Sequence, residues 1–249
     1  MKILAICGSP HRGNTYEVLS KIEEDYPDID YKLLMLGELN LQKCIGCYGC
    51  VLYGEEHCPL KDDRDMIIQE IMDADGVIFA SSINVNHIPA LMKDFMGRLG
   101  FMSHRPPFYG KYAMVMAVCA MFGAKQANEY MKGIFTTFGF DVVSCAELGV
   151  ATKTKKEIAW NQEKVTKAFN TLIDRIKQGQ KSTPTLRQIL HFYLFKTISE
   201  YNKEHYQADY QYYKDKTEFA SDRKPSFFKK MLAQLMVKNM MWDFSKNRL

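Results

Sequence analysis

The sequence predicts an α/β fold: a doubly wound, five-stranded parallel sheet followed by a helical extension. Three observations carry this expectation. Over residues 1–150, short apolar runs of strand length alternate with amphipathic stretches of helical length, which implies a parallel sheet covered on both faces. The first apolar run ends in a tight turn of small residues that feeds a helix. Beyond residue 150 the strand signal stops and helical periodicity continues alone. A length of 249 residues suits one α/β domain plus an extension.

Residues 3–7 form a buried strand that ends at Gly8-Ser9-Pro10. Residues 15–26 place Val18, Leu19 and Ile22 at helical spacing, and residues 31–36 are the second strand. Asp63 is positioned to cap a helix running to residue 74. Residues 76–80 are the third strand. Residues 87–99 read as a helix with Pro89 in its first turn, where proline is tolerated. A fourth strand at 112–119, a helix at 124–138 and a fifth strand at 141–150 complete the alternation. Helices are expected at 158–176, 186–206 and 227–241, with a polar hinge at 178–184 and a tyrosine- and charge-rich stretch at 207–225. The resulting division is a domain over residues 1–180, with a cysteine-bearing insertion at about 38–62, and a basic helical extension over 181–249. Residues 1–150 carry 13 Lys and Arg against 19 Asp and Glu, a net of −6; residues 151–249 carry 20 against 10, a net of +10. This asymmetry implies separate partners, or a basic extension folded onto an acidic body.

No run approaches the 18 apolar residues of a membrane span, and the N-terminus lacks the features of an export signal, so a cytoplasmic protein is expected. Seven cysteines, an odd number, argue for metal or redox use over a disulfide framework.

Ligands of such sheets sit at the C-terminal ends of the strands, which here carry residues 9–15, 81–85 and 119–124. The first of these loops, residues 8–15, reads Gly-Ser-Pro-His-Arg-Gly-Asn-Thr. Small residues at a helix N-terminus expose backbone N–H groups and the positive end of the helix dipole to one point, which suits a phosphate dianion. An ordinary strand-to-helix turn is the alternative. Neither the P-loop motif nor the dinucleotide glycine motif is present.

Cys44, Cys47, Cys50 and Cys58 have the spacing C-x2-C-x2-C-x7-C, with Pro59 after the last. Bacterial ferredoxins wrap a [4Fe–4S] cluster with closely spaced thiolates of this kind. Redox-active thiols are the competing reading, and zinc a weaker one, because zinc sites more often use two separated C-x2-C pairs. Cys7, Cys119 and Cys145 fall in strands and read as buried small hydrophobes.

The segment Cys7–Thr15 resembles the FMN-phosphate loop of the NADPH-dependent FMN reductase family, whose fold is flavodoxin-like and which includes the iron–sulfur flavoproteins. Three further motifs follow in order: the cysteine run 44–50, Lys61-Asp62-Asp63 opening a helix, and the helix end from Lys93 to Arg98. The likeness spans about residues 1–150. It implies that Ser9, His11, Arg12, Gly13, Asn14 and Thr15 hold the FMN phosphate. It further implies that Ser82, Ile83, Asn84 and Val85 line the isoalloxazine ring, and that Ala120, Met121, Phe122 and Gly123 form the third flavin loop. The chain departs from the family pattern in two places. Ser82 and Asn84 replace a Pro-x-Tyr pair, and Gly97 replaces an aspartate. Asn84 offers no ring to stack on the flavin.

No Ser-His-Asp order or H-E-x-x-H stands out, and no catalytic residue is assigned, as expected where a flavin performs the redox chemistry. His87 after the second loop is a candidate proton donor or nicotinamide contact, or else a polar residue of a first helical turn; His57 beside Cys58 is a candidate ligand but is expected at the surface. The resemblance implies an FMN oxidoreductase or electron carrier. It would be reduced either by NAD(P)H or, through the cluster, by a protein donor such as ferredoxin, and it would pass electrons to a small acceptor such as a quinone. The alternative is a non-catalytic zinc or thiol redox sensor, or a partner-binding protein, on the same scaffold. In the extension, Phe227, Phe228, Met231, Leu232, Leu235, Met236 and Met240 recur at helical spacing among lysines. This predicts docking within a homo-oligomer, a dimer or tetramer, ahead of a membrane surface. The tyrosines at 201–213 are interleaved with acidic residues, which argues against nucleic acid.

Overall fold

The computed structural model describes residues 1–179, 182–219 and 224–246. Two compact units are formed. The first comprises Met1–Ile45, Leu60–Gly100 and Phe108–Gln180; the second comprises Gly46–Pro59, Phe101–Pro107 and Lys181–Leu249.

The first unit is built on strands β1 (Lys2–Cys7), β2 (Asp30–Met35), β3 (Gly76–Ser82), β4 (Tyr112–Cys119) and β5 (Asp141–Gly149). They form one sheet in the order β2-β1-β3-β4-β5, with every pair parallel. This is the doubly wound parallel arrangement that the alternating pattern predicts, and its strand order is the flavodoxin-like one that the resemblance implies. The chain leaves β1 toward β2 and returns on the other side to β3, so the topological switch lies between β1 and β3. Register there sets Cys7 beside Ala80, and Gly8 donates its N–H to the Ala80 carbonyl at 2.7 Å.

Helices α1 (Asn14–Asp25), α3 (Arg64–Asp73), α4 (Ala90–Arg98), α5 (Ala124–Thr137) and α6 (Lys155–Gln178) belong to this unit. Strand alternation divides its core. On one face Ile3, Ala5, Cys7, Ile78 and Met114 pack with Leu19, Ile22, Phe169 and Leu172 of α1 and α6. Elsewhere Phe79 stacks on Phe135 of α5 at 3.6 Å and meets Phe95 of α4 at 6.5 Å. Burial of these rings and aliphatics is the dominant stabilising term.

Helix α6 begins three residues before the expected position because Thr154 caps it. The Thr154 hydroxyl accepts from the Glu157 N–H at 3.2 Å, and the Glu157 carboxylate accepts from the N–H groups of Thr152 and Lys153 at 3.1 and 2.7 Å. Thr154→Ala is expected to cost about 1 kcal/mol, read as a lowered urea midpoint with unchanged slope; an unchanged midpoint would mean that water caps the helix equally well.

The second unit contains the short helix α2 (Gly49–Leu52) together with α7 (Leu186–Tyr201), α8 (Gln207–Tyr213) and α9 (Phe227–Lys246). The single helix expected over 186–206 stops at Tyr201, capped by Asn202, whose N–H returns to the Ile198 carbonyl. Part of the tyrosine- and charge-rich stretch, 207–225, to which the sequence pattern assigns no element, forms α8. The reason is burial: Asp209 and Tyr213 are almost fully enclosed, and a buried backbone needs internal hydrogen bonds. On α9, Ala233 and Val237 are buried, four residues apart, while Phe227, Phe228, Leu235 and Trp242 are exposed. The expected boundary at 180/181, and residues 220–223 of the tyrosine-rich stretch, lie outside the described residues. Among the described residues no helix is long and apolar enough to cross a membrane.

Candidate functional site

The first loop is placed at the switch point. Ser9 and Thr15 are buried, while Pro10, His11 and Arg12 are exposed and Gly13 and Asn14 half-buried. Gly13 is the N-cap of α1, and no side-chain cap hydrogen bond closes that end of the helix among the described residues. The first-turn amides and the dipole of a 12-residue helix are therefore offered to a ligand. The backbone is tightly backed. A Cβ on Gly8 would lie 2.9 Å from Met92 Cβ, and one on Gly37 2.7 Å from the Pro10 carbonyl oxygen. Arg12 is engaged elsewhere, donating to both oxygens of Glu38 at 2.6 and 2.9 Å. Its guanidinium holds the Glu38 carboxyl below the usual range. The pair is exposed and therefore weak, so exchange of Glu38 for a phosphate is an accessible event.

The second loop differs from a helix start at residue 87. Asn84 and His87 exchange backbone hydrogen bonds at 2.8 and 3.0 Å around Val85 and Asn86, which have φ of 49° and 60°. Helix α4 consequently starts only at Ala90, with Pro89 as its N-cap. A β-branched residue in the left-handed region is strained, and Val85 is 99% exposed. Ser82 Oγ, at the end of β3, is buried without a partner among the described residues. His87 is exposed, and its ring lies 4.9 Å from that of Tyr130, whose hydroxyl accepts from Lys93 Nζ at 2.5 Å.

The third loop closes on the second. Gly123 has φ of 97°, and a Cβ there would lie 2.8 Å from the Asn86 carbonyl oxygen. Met121 and Phe122 are exposed beside it at 69% and 72%. These loops offer an uncapped helix end for a phosphate, an orphaned hydroxyl at the strand ends and exposed apolar side chains, a set that fits FMN. Asn86 and Glu38 stand at these loops although the sequence pattern does not single them out. Asn86 carried a signal, since asparagine tolerates the left-handed turn, whereas Glu38 carried none.

The motif Lys61-Asp62-Asp63 has a structural task. The Asp62 carboxylate accepts from Arg98 at 2.8 and 3.2 Å and from the Gln42 N–H at 2.9 Å. Asp63 is the N-cap of α3 by position, but no side-chain cap bond is made among the described residues; its carboxylate accepts from the Asn40 N–H at 2.8 Å instead. Residues 40–42 are thus tied to 61–63 at the two ends of the cysteine-bearing segment. Gly97 sits near its start, where an added Cβ would approach Cys44 Cβ at 3.9 Å.

Within that segment Gly46, Tyr48 and Gly54 adopt positive φ, which coils the chain tightly. A Cβ on Gly49 would lie 3.1 Å from the His57 carbonyl oxygen. Cys44 and Cys47 are exposed, Cys50 is half-buried and Cys58 buried, and His57 is at the surface. Four thiols in a glycine-relieved loop match the donor chemistry of an iron–sulfur centre. Among the described residues no three ligating side chains converge on one point. Cys7 and Cys119 are buried as expected, and burial pushes the Cys7 thiol up to about 11. Cys145, expected in the core, is instead exposed, on β5 at the open edge of the sheet.

A sequence profile of the NADPH-dependent FMN reductase family matches residues 1–155. An iron–sulfur flavoprotein of Archaeoglobus fulgidus is 26% identical over 227 residues, covering 87% of this chain and 99% of its own. One of Clostridioides difficile is 28% identical over 205 residues, covering 77% and 86%. Among solved structures, RosB with bound 8-demethyl-8-formylriboflavin-5'-phosphate aligns with a TM-score of 0.60 at 12% identity, over 91% of this chain and 92% of its own. A flavone reductase aligns at 0.55 and 16%, over 73% and 66%. These structures bear on the fold alone. With the profile covering the sheet and all three loops, the chain belongs to the NADPH-dependent FMN reductase family and is an oxidoreductase built around FMN.

Proposed function

We propose that this protein is a two-cofactor electron-transfer flavoprotein, holding FMN on the three strand-end loops and a [4Fe–4S] cluster on Cys44, Cys47, Cys50 and Cys58. It accepts electrons from a low-potential protein such as ferredoxin and delivers them to a small acceptor such as a quinone. The observation that carries this reading is the set of four thiols in one coiled segment whose ends are tied together where the Asp62 and Asp63 carboxylates accept from the Gln42 and Asn40 N–H groups. Bound FMN supplies one- and two-electron chemistry, and a thiolate-held cluster supplies one-electron chemistry. The chain's own residues have three tasks. The uncapped end of α1, with Ser9 and Thr15, holds the phosphate. Ser82 Oγ offers a hydrogen-bonding group at the ring. Asp62, braced by Arg98, and Asp63 keep the cysteine segment closed at its base. The names of the sequence relatives support the cluster, and the family's name supports a second reading in which NAD(P)H is the donor.

The test is an absorption spectrum of protein purified without oxygen, with iron and acid-labile sulfide measured on the same sample. Flavin bands with about four irons per chain are expected. Flavin without iron would favour the NAD(P)H reading and leave the cysteines as thiols. A colourless protein that takes up no FMN, with zinc on its cysteines, would replace both with a redox sensor.

A further inference from the structure

The second unit joins the cysteine turn to the C-terminal extension through one buried arginine. Arg105 is 93% enclosed at its side chain and Asp209, on α8, 99%. Arg105 Nη1 donates to the Val51 carbonyl at 3.0 Å, and Nη2 donates to the Cys50 carbonyl at 2.5 Å and to Glu55 Oε2 at 3.1 Å. Nη1 also donates to Asp209 Oδ1, and the other Asp209 oxygen meets His104 Nδ1 at 2.8 Å. Tyr212 and Tyr213 of α8 donate their hydroxyls to the carbonyls of Pro106 and His104, fixing the segment that carries the arginine.

Helix α2 has only four residues, too few to persist by its own hydrogen bonds. Its last carbonyls have no partner within the helix, and the planar guanidinium answers two of them at once while its charge is balanced by Asp209. Cys50 is therefore held by its backbone, and the residues that hold it come from outside the cysteine motif.

We propose that Arg105 and Asp209 are positioning residues that preset the cysteine turn for its cofactor, and that this is the task of the extension's helix α8. The proposal rests on the cluster reading above for the identity of the cofactor, but the ordering of the turn does not depend on it. Groups that orient metal ligands typically change metal affinity by about 10- to 100-fold when removed.

The experiment compares full-length wild type with Arg105→Met, Arg105→Lys and Asp209→Asn, each loaded with FMN. Three quantities are read: iron and sulfide per chain after anaerobic reconstitution, the rate at which cluster-free cysteines react with a disulfide reagent, and FMN content. Arg105→Met is expected to hold FMN normally, to bind iron at least about tenfold more weakly, and to expose its thiols about tenfold faster as the turn opens more often. Arg105→Lys is expected to recover part of both, because it keeps the charge but loses the fork. Asp209→Asn should fall between them. Wild-type iron affinity and thiol rates in Arg105→Met would overturn the proposal. So would loss of FMN in parallel with iron, since that would make the pair a general folding element. If wild type itself takes up no iron, the cluster reading falls and the clamp is decided by the thiol rates alone.

Discussion

Replacing Arg98 by alanine is expected to destabilise the protein by about 3–5 kcal/mol, because it leaves the Asp62 carboxylate buried without its charge partner. The side chains of Arg98 and Asp62 are only 2% and 1% exposed, and their nitrogens and oxygens approach to 2.8 Å. Such a pair contributes little over a well-packed apolar one, but removing half of it carries the full desolvation cost of the other half. Urea unfolding is the measurement, and a loss below about 1 kcal/mol, the range of exposed pairs, would show that water reaches the pair.

The same pair gives a pH dependence of definite sign. Burial alone pushes the Asp62 carboxyl up, but the Arg98 guanidinium and the amides of Gln42 and Arg64 together hold it below its usual range. A carboxyl depressed in the folded state stabilises at pH values above its unfolded pKa, about 4, and that contribution disappears as pH falls through the folded value. The stability difference between wild type and Asp62→Asn is therefore expected to be full at neutral pH and to shrink in acid below about pH 4. A difference that stays constant down to pH 2 would mean that the carboxylate is not held by charge.

Replacing Gly123 by alanine is expected to weaken FMN binding by about tenfold or more, while the sheet remains folded. Alanine at φ of 97° is strained, and its Cβ would lie 2.8 Å from the Asn86 carbonyl oxygen, a backbone atom that cannot rotate away. Strain of this kind costs about 1–3 kcal/mol, and 1.4 kcal/mol is tenfold in affinity when it falls on the bound arrangement. The two loops would separate, and the strained turn at Val85 and Asn86 would lose its support. Fluorescence titration of FMN into apo-protein measures the effect. Unchanged affinity would place the flavin ring away from this loop pair.

The sequence by itself determined the sheet. Strand-length runs rich in Ile, Val and Ala, separated by helical periods, have one economical packing, and chain handedness fixes the crossovers. It also determined which loops stand at the switch point, because small residues after β1 and before α1 leave the helix amides open. It determined the cysteine set, since four thiols within 15 residues need no tertiary information to be noticed.

Tertiary structure decided what depends on contacts between distant residues. Asp63 looks like a helix cap from its neighbours, but it serves Asn40, 23 residues earlier, because closing the ends of the cysteine segment competes for the same oxygen. Cys145 looks like a core residue from its strand, but an edge position exposes it. Residues 207–213 read only as part of a tyrosine-rich stretch between helices, but Asp209 is buried against Arg105, 104 positions away, and the segment forms a helix around that pairing. Local propensity carries no record of such partners, because a buried charge is stabilised by whichever opposite charge the fold brings to it.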